Sequence, residues 1–279
     1  LGWSLGANDA ANVFGSAVGS KMVSFRQAAI ISSIFVIIGS VVQGTGASDT
    51  LGRLGAVNAI GGSFTVALAA AIVVFMMTKF ALPVSTTQAI VGAIIGWNLF
   101  TGNPTDATTL TNILSTWVSG PVLGAVFAVI LYILLKTVKR KSAIHLVRFE
   151  SYIRTGLIIV GAFGAYSLGA NNIANVMGVF VPAFNLHPLD LKLFTLSSQQ
   201  QLFLLGSLAI AAGIITYSRR VMEQVGDNIM ELSSESALVV VLSQALVLFI
   251  FSSSGLSAFL RNAGLPAIPM VPVSSTQVM

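Results

Sequence analysis

The sequence has no cysteine, two histidines and few charged residues, and each shortage excludes a class of protein. Without cysteine there are no disulfides and no thiol chemistry, so no redox compartment can be inferred. His145 and His187 both lie in polar connections, and a zinc site therefore lacks ligands. Charged residues make up 8% of the chain, whereas a soluble domain carries about a quarter. Because so few charged residues cannot cover a surface that faces water, most of the surface must face lipid.

Hydrophobic residues take the place of the missing charges. They make up 55% of the chain, and the mean hydropathy is +0.89. Six apolar stretches approach the roughly 20 residues that a membrane-spanning helix needs. They lie at 27–44, 63–82, 113–135, 153–170, 202–217 and 237–251. The sequence therefore predicts an all-α, multi-pass (polytopic) protein of a cell or cytoplasmic membrane.

The basic residues are unevenly placed along this pattern. If the connection 137–150 is cytoplasmic and successive spans alternate, 11 of the 14 Lys and Arg residues fall inside. Only Arg53, Lys192 and Arg261 fall outside, as the positive-inside rule requires. The basic cluster at 136–141 is explained by the same rule, so no nucleic acid partner is expected. The acids at 223, 227, 231 and 235 are spaced by four and predict a solvated helix face.

Two motifs each occur twice. Residues 6–15 read GANDAANVFG and residues 169–178 read GANNIANVMG, whereas PVSTTQ at 83–88 returns as PVSSTQ at 272–277. Under the alternating topology, the two copies of each motif enter the membrane from opposite sides. Inverted repeats with broken or half helices, and a binding site near the membrane midplane, are typical of secondary transporters.

This pattern predicts two inverted-topology repeats. The first covers 1–136, a basic cytoplasmic linker covers 137–151, and the second repeat covers 152–279. The apolar helix that begins near residue 152 is expected to break at Asn171 and Asn172. Because the first motif begins at residue 6 and the last ends at Gln277, both repeats are expected to be truncated, with further spans beyond each end.

Asp9 is the acidic residue that lies inside a motif at membrane depth; the other eight lie in connections or near span ends. Burying a carboxylate there costs at least about 2.5 kcal/mol. No basic residue lies at a similar depth, so a bound cation, a proton or a helix N-terminus must stabilise it. The predicted cation ligands are Asp9 (the metal ligand if the ion is Na⁺), Asn8, Asn12, Asn172 and Asn175. A helix cap at Asp9, or hydrogen bonds between helices for the amides, is the alternative.

Hydroxyl groups follow a proline at two predicted helix starts. A helix N-terminus presents free N–H groups and partial positive charge, which suit an oxyanion such as phosphate. Ordinary N-caps are the alternative. The predicted phosphate ligands are Ser85, Thr86, Thr87, Gln88, Ser274, Ser275, Thr276, Gln277 and Asn171.

These motifs resemble those of the inorganic phosphate transporter (PiT) family of sodium- or proton-coupled phosphate permeases. The resemblance runs through nearly the whole chain, and it implies phosphate import with a cation at a central site built from all four motifs. Two departures stand out. The family usually has Asp where this chain has Asn172, which leaves the number and identity of the coupled cations open. Many members also have histidine where this chain has Gln88 and Gln277.

The sequence thus predicts a secondary transporter rather than an enzyme, since no metal triad, Cys or buried His is found. An inside-negative membrane opposes anion entry by about 2.3 kcal/mol per charge for each 100 mV, so co-transport of Na⁺ or H⁺ by alternating access is expected. No cofactor is expected beyond this cation, and phosphate and the lipid bilayer are the expected partners. A homodimer, a sulfate or other tetrahedral oxyanion substrate, and a receptor that binds phosphate without moving it stay open.

Overall fold

Helices make up most of the described chain. The computed structural model describes residues 1–55, 57, 60–141, 145–190, 192, 195–226 and 232–279. In chain order the helices are α1 (Gly2–Asp9), α2 (Ala11–Gly19), α3 (Phe25–Gln43), α4 (Thr45–Arg53), α5 (Ile60–Lys79), α6 (Thr86–Thr101), α7 (Ala107–Lys141), α8 (Leu146–Met177), α9 (Ser198–Gln224), α10 (Ser234–Ser252), α11 (Ser254–Asn262) and α12 (Ser275–Val278). A short 3-10 helix (Val181–Ala183) and the antiparallel strands β1 (Leu189–Asp190) and β2 (Thr195–Leu196) lie between α8 and α9.

Within the described part of the chain, six helices are long and apolar enough to cross a membrane: α3, α5, α7, α8, α9 and α10. Each coincides with one of the six predicted stretches, so the all-α polytopic architecture is confirmed. Large apolar side chains on the outer helices are exposed, including Ile72 on α5 and Ile133 on α7. Lipid is the solvent that such a surface requires.

The second motif does not break its helix, and the predicted break at Asn171 and Asn172 is wrong. Helix α8 runs unbroken to Met177, and the chain leaves helical geometry only at Gly178 and the 3-10 turn after it. The amide side chains hydrogen-bond sideways to neighbouring elements, so the helical backbone is left undisturbed. The first motif is interrupted only at Ala10, whose φ of −61° and ψ of −25° remain close to helical values.

Two stretches between the predicted spans also contain helix. The polar stretch 46–61 is helical through Arg53, because α4 buries Ala47, Ser48 and Leu51 on its inner face. The linker 137–151 is mostly the end of α7 and the start of α8. Of the predicted acidic helix face, Asp227 and Glu231 lie outside the described residues.

Two pairs of helices approach so closely that their backbones touch at glycines. These pairs are α1 with α9 and α3 with α8, and each joins the predicted first repeat to the second. A Cβ added to Gly6 would lie 1.9 Å from the carbonyl oxygen of Ile210, and one added to Gly213 would lie 2.0 Å from that of Trp3. In the other pair, a Cβ on Gly39 would lie 2.0 Å from the carbonyl oxygen of Tyr166, and one on Gly169 would lie 2.3 Å from that of Val36.

A substitution at Gly6 should therefore destabilise the protein. In Gly6→Ala the added methyl must push α1 away from α9, and overpacking of this kind costs about 1–3 kcal/mol. Gly96→Ala on α6 is the matched control, because a Cβ there meets nothing within 4 Å and alanine favours a helix by up to about 1 kcal/mol. Thermal unfolding in detergent should give a lower midpoint for the first variant and an equal or higher one for the second. Equal midpoints for the two variants would contradict this packing.

Candidate substrate and cation site

A tight turn precedes the first hydroxyl segment, residues 83–88. At the end of α5, Ala81 adopts a left-handed conformation with φ 56°, and the N–H of Leu82 closes the turn on the carbonyl of Met77. The chain then reaches Ser85, which caps α6 by accepting a hydrogen bond from the N–H of Gln88 at 3.1 Å. In the second copy, Ser274 caps α12 in the same way, accepting from the N–H of Gln277 at 3.3 Å. Both serines therefore act as N-caps, the role that the sequence left open as the alternative to phosphate binding.

One asparagine of each glycine-rich motif (6–15 and 169–178) hydrogen-bonds to the hydroxyl segment of its own half. The hydroxyl segments are residues 83–88 and 272–277. Asn8 donates to the carbonyl of Leu82 at 2.9 Å and accepts from the N–H of Val84 at 3.0 Å. Asn171 donates to the carbonyl of Val273 at 2.7 Å and accepts from its N–H at 2.9 Å. Both side chains are fully buried and paired with backbone groups. In this structure both side chains therefore brace these segments.

A second asparagine of each motif, four residues further on, reaches across to the opposite half. Asn12 donates to the hydroxyls of Ser275 and Thr276, both at 3.1 Å. Asn175 donates to the hydroxyls of Thr86 and Thr87, at 3.3 and 3.0 Å. The structure therefore brings together all four motifs, which the sequence separates by up to about 270 residues.

Two further contacts join the hydroxyl segments to each other. The Thr87 hydroxyl donates to the carbonyl of Val273 at 3.4 Å, and the Thr276 hydroxyl donates to the carbonyl of Val84 at 3.2 Å. Both are long for O–H···O bonds, which usually measure about 2.7–2.8 Å. Both acceptors are neutral backbone carbonyls, which bind a hydroxyl less strongly than a charged acceptor does.

Asp9 lies at the centre of this arrangement and is fully buried. Its Oδ2 accepts three hydrogen bonds: from the Asn172 amide at 2.7 Å, the Thr86 hydroxyl at 3.0 Å and the Ser275 hydroxyl at 3.3 Å. The Asn172 amide is oriented by its other end, because its Oδ1 accepts from the Asn171 amide at 2.6 Å. The ion pairs in the described part of the chain, Lys139 with Glu235 and Arg219 with Glu223, involve other acids.

Five side-chain oxygens of residues in or beside the four motifs are buried without a hydrogen-bond partner. They are Asp9 Oδ1, Asn12 Oδ1, Asn175 Oδ1, Gln244 Oε1 and Gln277 Oε1. All are acceptors, and leaving such a group buried and unpaired costs about 1–3 kcal/mol. Carboxylate and amide oxygens are ligands for a hard cation. Among the described residues no group of three His, Cys, Asp or Glu could hold a metal ion, so the donor set suits an alkali cation better than a transition metal.

Gln244 is a site residue that the sequence analysis missed. It lies on α10, is 1% exposed, and donates from its amide to the carbonyl of Ser275 at 3.1 Å. Thr78 on α5 was also missed, and its hydroxyl accepts from Asn8 at 3.2 Å. A lone amide in an otherwise apolar span was the available signal for Gln244. Of the predicted glutamines, Gln88 and Gln277 contribute their backbone N–H groups to the caps.

A profile of the phosphate transporter family matches residues 5–279. This chain belongs to the phosphate transporter family. It is accordingly a multi-pass integral membrane protein of a transporter family, and it is not an enzyme. The family assignment agrees with the resemblance carried by the four motifs.

Individual relatives agree with the family. A protein of Thermococcus kodakarensis assigned as a phosphate permease is 26% identical over 92% of this chain and 82% of its own length. A protein of Methanocaldococcus jannaschii with the same assignment is 28% identical over 99% of this chain and 77% of its own. The mouse sodium-dependent phosphate transporter 1 is 31% identical over 60% of this chain but 25% of its own length. A solved structure titled the sodium-dependent phosphate transporter has the same fold, with a TM-score of 0.75 at 22% identity over 99% of this chain and 84% of that one.

Proposed function

We propose that this phosphate transporter imports inorganic phosphate together with a cation, by alternating access to the site around Asp9. The observation that carries the proposal is the convergence of all four motifs on one buried carboxylate. Relatives named sodium-dependent phosphate transporters favour Na⁺ as the cation.

The unpaired oxygens support a cation site at Asp9 Oδ1. Asn12 and Asn175 are joined to Asp9 through the hydroxyls of Ser275 and Thr86, and their own Oδ1 atoms have no hydrogen-bond partner. Together these three oxygens would replace part of the hydration shell of Na⁺. A sodium ion there would also balance the one buried negative charge in the site.

Phosphate would bind where the hydroxyls are held least tightly. The hydroxyls of Thr86 and Ser275 donate to the Asp9 carboxylate, whereas those of Thr87 and Thr276 donate to neutral backbone carbonyls, which hold them less strongly. Rotation of these two hydroxyls would present donors to an oxyanion beside the free first-turn N–H groups of α6. We propose that Ser85, Ser274, Asn8 and Asn171 position this site rather than contact phosphate directly.

The inverted repeat is part of the same proposal. It is supported by matched contacts: Asn8 and Asn171 each brace the segment of their own half, whereas Asn12 and Asn175 each cross to the other. The halves 1–136 and 152–279, with the linker 137–151 between them, would then form equivalent walls of one site. A homodimer and further spans beyond this sequence stay predictions.

Coupling to sodium has a simple electrostatic reason. The anion must enter against an inside-negative potential and must bind beside a carboxylate, and both terms oppose it. Co-bound Na⁺ offsets the local repulsion at Asp9. If the cycle carries more positive than negative charge inward, the membrane potential then favours entry.

Uptake of labelled phosphate into proteoliposomes tests this proposal. With an inward sodium gradient at fixed pH, uptake should exceed that with an equal potassium gradient by at least about tenfold, and a tenfold excess of sulfate should leave it unchanged. A proton gradient that replaces sodium would reassign the cation, and inhibition by sulfate would favour a broader oxyanion transporter. Binding of phosphate without any flux would instead indicate a receptor.

A further inference from the structure

A second candidate anion site lies at the end of the molecule that the charge bias assigns to the cytoplasm. A cavity of about 420 Å³ is enclosed by the ends of α2, α3, α8 and α9. Its polar lining consists of Lys21, Ser24, Gln27, Arg154, Arg219 and Glu223. Lys21 follows Asp9 by about 18 Å of helical rise, so this cavity is separate from the site of the four motifs.

The cavity is strongly basic. Three of its described lining residues are cations and one, Glu223, is an acid. Glu223 pairs with Arg219 at 2.8 Å, and the Arg219 guanidinium also lies 5.9 Å from the ring centre of Phe25. Among the described residues, Lys21 and Arg154 have no ion-pair partner. A concave surface lined by excess charge of one sign concentrates ions of the opposite sign.

The backbone at Lys21 indicates that its charge is placed here at a cost. Lys21 has a φ of 58° at the end of α2, a left-handed conformation that usually belongs to glycine. The turn is closed by the N–H of Val23, which donates to the carbonyl of Ala17 at 3.1 Å. A glycine would relieve this strain and remove the charge at the same time, so this position offers a substitution that tests the charge without destabilising the turn.

Helix α3 also favours the binding of an anion in this cavity. Its first turn, from Ser24 to Gln27, lines the cavity, and this 19-residue helix directs the positive end of its dipole there. Ser24 and Gln27 satisfy each other through a capping box. The helix dipole and the cations together match a phosphate group, which binds both guanidinium and ammonium donors.

We propose that this cavity binds a phosphate group of either a phospholipid headgroup or inorganic phosphate. Basic pockets between membrane helices at the cytoplasmic face suit anionic headgroups. Free phosphate offers the same chemistry, and it would arrive from the cytoplasmic solution. The inference does not rest on the proposed transport cycle.

The test replaces Lys21 by glycine, which removes the charge and relieves the backbone strain. Lys192→Gly is the matched control, because Lys192 is also exposed and left-handed, with φ 67°, but lies on the predicted outer side. Both variants should unfold at or above the wild-type temperature. Arg154→Gln provides a second variant in the cavity.

Two binding measurements distinguish the two sources of the phosphate group. Native mass spectrometry of the full chain with phosphatidylglycerol or phosphatidylcholine should show retained phosphatidylglycerol that falls at least fivefold in K21G and R154Q but not in K192G. In lipid-free detergent, equilibrium dialysis measures the binding of labelled inorganic phosphate. If the ligand is free phosphate, K21G should bind one phosphate fewer per chain than the wild type. A loss in either arm supports the site and names its source. No loss in either arm, or an equal loss in K192G, would overturn it, and neither result depends on whether the wild type transports phosphate.

Discussion

Replacing Asp9 by asparagine is expected to abolish sodium-dependent phosphate uptake, with a loss of at least about a hundredfold. The carbonyl oxygen of the new side-chain amide can take the place of Oδ2 and keep the three hydrogen bonds from Asn172, Thr86 and Ser275. What changes is the other atom: an NH₂ group replaces the unpaired Oδ1, and the negative charge is lost. A unit charge about 4 Å from a cation contributes about 4 kcal/mol at an effective dielectric constant of 20, which corresponds to several hundredfold in binding.

The measurement is initial phosphate uptake in proteoliposomes as a function of sodium concentration. Asp190→Asn in the exposed β1 strand is the matched control and should transport like the wild type. The thermal midpoint of D9N should not fall, because its hydrogen bonds are kept. Uptake by D9N with an unchanged sodium dependence would rule out Asp9 as the cation ligand.

Replacing Asn172 by aspartate should make transport depend on an additional cation. In the wild type the Asn172 amide donates to Asp9 at 2.7 Å, so it satisfies one side of the carboxylate without an ion. In N172D two carboxylates would meet at this position, and they cannot both stay ionised without a cation or proton between them. Their repulsion is about 4 kcal/mol or more. Uptake at low sodium should fall at least tenfold. The Hill coefficient of uptake against sodium or proton concentration should rise by about one.

Uptake against sodium at fixed pH, and against pH at fixed sodium, identifies which ion responds. Asn185→Asp in the exposed connection after α8 introduces the same charge away from the site and should leave both curves unchanged. The double variant D9N/N172D moves the carboxylate to the other half and restores an amide-to-carboxylate hydrogen bond. If the halves are equivalent, it should recover the wild-type slope. A double variant that behaves like D9N alone would instead assign the cation to one half.

The sequence was sufficient for the parts of the fold that depend on composition and local order. Hydropathy located all six spans, and proline followed by hydroxyls located the starts of α6 and α12. The motifs identified the side chains that meet around Asp9. These features are predictable because each is set by a short segment and its solvent.

Tertiary contacts decided the rest. The continuity of α8 depends on what its asparagines hydrogen-bond to. The sequence alone cannot distinguish an asparagine that hydrogen-bonds to a neighbouring segment from one that interrupts the helix. Asn8 and Asn12 have different roles because Asn8 contacts the hydroxyl segment of its own half, whereas Asn12 contacts the hydroxyl segment of the other half. Gln244 was missed because its role comes from the backbone of Ser275, which lies 31 residues away.

The glycine contacts bear on which parts of the molecule can move as rigid bodies. At Gly6 and Gly213, and again at Gly39 and Gly169, helices from opposite sequence halves interlock backbone to backbone. A movement that separated residues 1–136 from 152–279 would have to pull apart both of these contacts. Under the transport cycle proposed above, each moving unit should therefore combine helices from residues 1–136 with helices from residues 152–279, so it would not coincide with either proposed repeat.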